Sequence, residues 1–201
     1  LTNLEETNAR ATTSSNSGVV LTVTDEANAV DVNSSIVVST LARGQAISFD
    51  LTNNGFSNAF SNSSSRTASS SIDQGTMVFT LGSTATTITI DSTNNTLQGL
   101  VDEINKITGV HVTLIDTDGN GSLSLAIRSN HGAHNSFSIS SGSGDLSAFN
   151  TSDYSNAWVT RQTTAADASF TVDGVTVTRS SNTITDLFAG HTINLTAADS
   201  S

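Results

Sequence analysis

The chain has 201 residues, enough for one large domain or two small ones, and only 35% of them are apolar, while Ser, Thr, Asn and Gly are abundant. Seven basic against eighteen acidic residues give a net charge of −11 and a pI near 4.3, which argues against nucleic acid or an anionic membrane surface as a partner. With no cysteine there is neither a disulfide framework nor a thiolate metal site, and no run approaches the roughly 18 apolar residues of a membrane span.

In chain order, residues 1–8 have helical spacing at Leu1 and Leu4 but are too short to be stable alone. Without Met or a signal sequence, they read as the stub of a truncated helical leg. Strands are predicted at Val19–Thr24, dense in β-branched residues, and at Ile36–Leu41 and Ala46–Leu51. Residues 53–71 form the lowest-complexity stretch, a Ser/Asn-rich connection whose only apolar anchors are Phe56 and Phe60.

A doubled pattern follows. Met77–Leu81 and Thr87–Ile90 are alternating strands, and Leu97, Leu100, Val101, Ile104 and Ile107 form one continuous helical stripe. Asn95 or Thr96 supplies the N-cap, Gly109 ends the helix, and Val110–Leu114 returns as a strand. Near the C-terminus, Ser169–Leu195 repeats this order, with a hairpin at Asp173-Gly174 and a shorter helix expected around Thr185–Ala189. Between the copies lie Leu123–Arg128 and Phe137–Ile139 as strands, a Ser/Gly/Asn-rich stretch from Ser140 to Asn156, and a return linker at Thr163–Asp167. The fold class is therefore mainly β with one or two short helices (α+β).

No catalytic constellation emerges. Asp116-Thr-Asp-Gly-Asn-Gly121 satisfies the first half of a calcium-loop pattern, but position 12 holds Ile127 instead of Glu, so a tight β-turn between two strands explains the same letters. His131 and His134 have i, i+3 spacing without a third ligand, which favours solvated loop histidines over zinc. His111 and His191 start the returning strands of the two copies, a shared edge position. Ser141-Gly-Ser-Gly144 lacks the strand-to-helix context of a nucleophile elbow, so no catalytic, metal or cofactor-binding residue is assigned. Tyr154 and Trp158 are candidates for a surface recognition patch, weighed against plugging a loop onto the core.

Four stretches carry a resemblance to the flagellar filament cap family, also called hook-associated protein 2. Asn8–Ser15 looks like the departure from that family's helical leg, and Ile36–Gln45 like its strand followed by a Leu-Ala-x-x-Gln turn. Thr87–Asn105 is similar to its insert-domain strand and helix. Ala168–Ile184, with Gly190–Leu195 after it, resembles the segment that returns to its lower head domain. The resemblance implies two β-rich head domains, the upper one (72–163) inserted into a discontinuous lower one (9–71 plus 164–201). It also implies a structural, non-enzymatic role: an extracellular, ring-forming homo-oligomer at the flagellum tip that retains flagellin and guides it into the filament. No cofactor is implied. A surface adhesin or glycan-binding head, taking host or mucin glycans, is the alternative, while a hydrolase lacks any poised nucleophile or base.

Overall fold

The computed structural model describes residues 18–52, 66–141, 144–152 and 154–199. The chain opens with strands β1 (Val19–Val23) and β2 (Ile36–Thr40). It continues through β3 (Ala46–Asp50), β4 (Gly75–Leu81), β5 (Thr84–Ile90), helix α1 (Leu97–Asn105), β6 (Val110–Asp116), β7 (Leu123–Ser129), β8 (Phe137–Ser141) and β9 (Val159–Thr163). It closes with β10 (Ala168–Val172), β11 (Val175–Arg179), β12 (Thr183–Ile184) and β13 (His191–Leu195). Two compact units result: unit 1 takes 1–42 and 167–201, and unit 2 takes 43–166.

Unit 1 holds two three-stranded antiparallel sheets, ordered β1–β13–β12 and β11–β10–β2. The C-terminal copy of the pattern pairs far upstream, as its exposed apolar edges require: Leu195 lies opposite Val19, and Phe170 opposite Val38. Alternation turns Val38 and Phe170 of one sheet, and Ile193 and Leu195 of the other, into one buried core. Asp173 and Gly174, with φ of 50° and 82°, make the two-residue turn of the β10–β11 hairpin, where both central positions need positive φ. The helix expected around Thr185–Ala189 is absent; these residues form bends and a turn. A five-residue segment has too few internal hydrogen bonds to nucleate a helix, and Asp186 is instead drawn to Arg179, 3.0 Å away.

Unit 2 contains a four-stranded sheet, β6–β7–β3–β9, and a three-stranded one, β5–β4–β8, both antiparallel. Helix α1 packs its apolar stripe into the same core, with Leu97, Leu100 and Ile104 no more than 1% exposed. Thr96 caps it, its Oγ1 accepting from the Gly99 N–H at 3.0 Å. At the far end the Asn105 amide imitates a strand, accepting from Val112 N–H at 2.8 Å and donating to Val112 C=O at 3.1 Å. That contact joins the helix to β6.

The unit boundary differs from the one expected at 71/72 and 163/164. The chain crosses between Ala42 and Arg43 and again between Ala166 and Asp167. Strand β3 causes the shift: it lies between β7 and β9, and Ile47, Phe49 and Leu51 are buried in the unit 2 core. Cross-strand pairing thus sets a boundary different from the one the resemblance implies. The leg stub at 1–8 and the anchors Phe56 and Phe60 lie outside the described residues.

Candidate functional site

The histidines do not converge. His131 and His134 are exposed beside a 3-10 turn at Ala133–Asn135, and His111 is exposed on β6, an edge strand. His191 departs from the shared-edge reading, since it is 4% exposed on the central strand β13, with Nδ1 2.9 Å from the Ala189 carbonyl. The repeat is therefore one of local order, and the burial of equivalent positions follows from which strands pair alongside. Among the described residues, no group of three or more His, Asp or Glu side chains is placed to hold a metal ion.

Asp116–Gly121 is the β6–β7 hairpin turn. Asp116 accepts backbone N–H bonds from Asp118 and Gly119, and Asp118 accepts from the Ser122 hydroxyl at 2.6 Å and from the Asn120 and Ser122 N–H groups. The loop's carboxylates therefore satisfy the turn itself. The Ser122 hydroxyl first, and the backbone donors after it, pull the Asp118 carboxyl down to about 2. A folded pKa below the unfolded value contributes stability that is present above about pH 4 and is lost as pH falls through about 2. Carboxyl-detected NMR is expected to show Asp118 titrating near 2 and moving up towards the ordinary range in Ser122→Ala. A midpoint already at the ordinary value in the parent chain would rule out this hydrogen-bonded turn.

Tyr154 and Trp158 are half-buried and pack against the unit 2 core. The Trp158 indole N–H donates to the Ala148 carbonyl at 3.2 Å, and the Arg161 guanidinium lies 4.7 Å from the Tyr154 ring centroid. Both rings thus hold down the segment that composition marked as loop. In it, a 3-10 turn at Gly144–Phe149 buries Leu146 and Phe149. Neighbouring Asp73 and Asp145 accept each other's N–H groups at 3.1 and 3.2 Å. Burial, and secondarily the Asp73 charge, raises the Asp145 carboxyl pKa, while Arg66, only 2% exposed, donates through Nε to the Leu51 carbonyl at 2.6 Å. Sequence reasoning missed Arg66, Asp73 and Asp145, because nothing in their spacing reveals that three separate segments meet.

The family-like stretches become physically intelligible. In Leu41-Ala42-Arg43-Gly44-Gln45, the Gln45 amide is 4% exposed, donates to the Phe137 carbonyl at 2.7 Å and accepts from its N–H at 3.1 Å. Arg43 and Ala166 exchange backbone bonds of 2.9 and 3.0 Å where the chain enters and leaves unit 2. In unit 1, Asn182 clamps Ala42 in the same manner, accepting at 2.7 Å and donating at 2.8 Å. The Gly190 carbonyl accepts from the Thr24 and Asp25 N–H groups, joining the approach to β13 to the end of β1. These are joints; their chemistry is that of holding backbone in place.

Comparison with known proteins accords with that reading. The family model of the flagellar hook-associated protein 2 C-terminus matches residues 165–201. The flagellar cap protein FliD from Escherichia coli, as its D2-D3 domains, is 28% identical with a TM-score of 0.72, covering 94% of this chain and 92% of that one. The chain is similar to a flagellar cap head over nearly all its length. Flagellar cap heads of other extent are similar too. The E. coli D1-D2-D3 structure is 27% identical with a TM-score of 0.73, and the chain covers about half of it, 51%, over 94% of its own length. FliD from Pseudomonas aeruginosa is 26% identical with a TM-score of 0.62, covering 90% of this chain and 79% of that one. A search of curated proteins by sequence finds no match.

Proposed function

We propose that this chain is the head of a homo-oligomeric cap at the distal, extracellular tip of the bacterial flagellar filament, where it retains flagellin and guides each subunit into place. The observation that carries this reading is the likeness to the E. coli D2-D3 head across 94% of the chain, at a TM-score of 0.72. The use of the motif residues as backbone joints supports a mechanical role. We assign unit 1 to the lower head domain and unit 2 to the upper, inserted one. No specific observation favours the adhesin or glycan-binding alternative.

The test is complementation. In a strain lacking its cap gene, the gene carrying this chain is expected to restore filaments and to stop the loss of flagellin to the medium. Secreted, folded protein that leaves the strain without filaments would overturn the proposal. So would a native host that grows normal filaments after the gene is deleted.

A further inference from the structure

We propose that residues 196–199 are a strap closing the outer edge of β2, and that Asp199 keeps this edge from pairing with β2 of a second copy of the chain. This goes beyond the cap assignment and does not depend on it.

Strand β2 is an edge strand, bonded on one side to β10. Ser35, just before it, donates its N–H to Asp173 Oδ1 at 2.8 Å and accepts from Asp173 N–H at 2.9 Å, where β10 turns into β11. Residues 35 and 37 therefore face β10, and Ile36 and Val38 turn N–H and C=O outward. Both outward groups of Val38 are taken by one residue. Its N–H donates to Asp199 Oδ2 at 2.7 Å, and its carbonyl accepts from Asp199 N–H at 2.8 Å. Asp199 thus makes the two bonds that a residue of a neighbouring strand would make, with a carboxylate in place of a carbonyl.

The strap has its own anchorage. Thr196 and Ala197 both donate N–H to the Gly18 carbonyl, at 2.8 and 3.4 Å, beside the start of β1. Residues 196–198 are exposed and Asp199 is half-buried, so the strap lies on the surface of unit 1 with its carboxylate turned in. The Thr40 end of the edge is protected by other means. The register shifts at Ser169/Phe170, and Asn182 clamps both backbone groups of Ala42. Asp199 guards the Val38 end.

The strand itself explains why a guard is needed. Ile36-Val-Val-Ser-Thr-Leu41 is a run of high β-propensity with no charge, Pro or Gly, the composition of a segment that pairs with its own kind. Val37 adds an apolar side chain that is 47% exposed. Sheets ordinarily protect such an edge with a charge, and since β2 carries none, the strap supplies it. Two copies of β2 laid antiparallel about Val38 are self-complementary. Each Val38 would exchange both bonds with the other, and one two-fold axis satisfies both edges at once. With Asp199 in place, neither the N–H nor the carbonyl of Val38 is open to that exchange.

The test is self-association of the full 201-residue chain by sedimentation, with amide hydrogen exchange at the same concentrations. In the parent, the Val38 amide is expected to exchange at least about tenfold slower than in the unfolded chain, whatever the concentration. In dilute Asp199→Ala that protection is expected to fall at least about tenfold, and the association constant to rise at least about tenfold. The Val38 amide then regains protection as the variant is concentrated towards about 1 mM. Asp199→Asn keeps an acceptor for the Val38 N–H and is expected to behave as the parent. Thr196→Pro removes a bond that ties the strap to Gly18, and is expected to raise association in the same direction even if Asp199→Ala fails to fold. An unprotected Val38 amide in the parent, association no stronger in either folded variant, or an Asn variant that associates as the Ala one does, overturns the proposal. So does association that protects the β1 or β11 amides and leaves that of Val38 exchanging.

Discussion

Gly44→Ala is expected to destabilise unit 2 by about 3 kcal/mol, at the upper end of what overpacking a tight site costs. A Cβ at position 44 would lie 2.0 Å from the Ser129 carbonyl oxygen and 2.9 Å from that of Asn130. Both obstacles are backbone, so no side-chain rotation relieves the overlap. Nor is the backbone free to retreat. Ser129 N–H donates to the Gln45 carbonyl at 2.9 Å, Gln45 N–H donates to Ser129 Oγ at 2.9 Å, and the Gln45 amide is committed to Phe137. Moving residue 44 by an ångström breaks several of these buried bonds together, and each donor or acceptor left unpaired costs about 1–3 kcal/mol. Trp158 is the only tryptophan and belongs to unit 2, so its fluorescence in a urea titration reports this unit. At an m-value of about 2 kcal/mol/M the midpoint should fall by about 1.5 M. A shift under about 0.3 M would show that the turn has room the geometry denies it.

Phe49→Ala is expected to cost about 3–5 kcal/mol, the range for emptying a packed aromatic site. Phe49 sits on β3, a central strand of the four-stranded sheet, and is 0% exposed. Its ring meets that of Phe149 edge-on, with centroids 5.4 Å apart and planes at 65°, a geometry worth roughly 0.5–1.5 kcal/mol beyond burial. The loss therefore reaches the Gly144–Phe149 turn, whose buried Phe149 loses its partner. In the same urea experiment the midpoint should fall by about 1.5–2.5 M, and Phe49→Leu, which keeps most of the volume, should lose less than half as much. Equal losses for Ala and Leu would mean that ring shape, not filled volume, sets the energy.

The amino-acid sequence by itself determined the elements. Each predicted strand from Val19 onward is present to within three residues at either end, because β-branched alternation is a local property that survives whatever packs against it. The same holds for α1, where the stripe from Leu97 to Ile104 and the Thr96 cap are written within one short segment. The Asp116–Gly121 and Asp173-Gly174 turns were legible for that reason too, since their residues carry their own hydrogen-bond acceptors or tolerate positive φ. Other features depend on partners far away along the chain. β3 belongs to unit 2 because β7 and β9 flank it, more than 70 residues later. Leu146 and Phe149 are core residues within a stretch whose composition reads as linker. Arg66, Asp73 and Asp145 are brought together from separate segments, and His111 and His191 share a place in the repeat but not a depth of burial. Tertiary structure alone decided these features, because burial and satisfaction of polar groups are set by the whole set of neighbours, whereas propensity and periodicity are set by the chain next door.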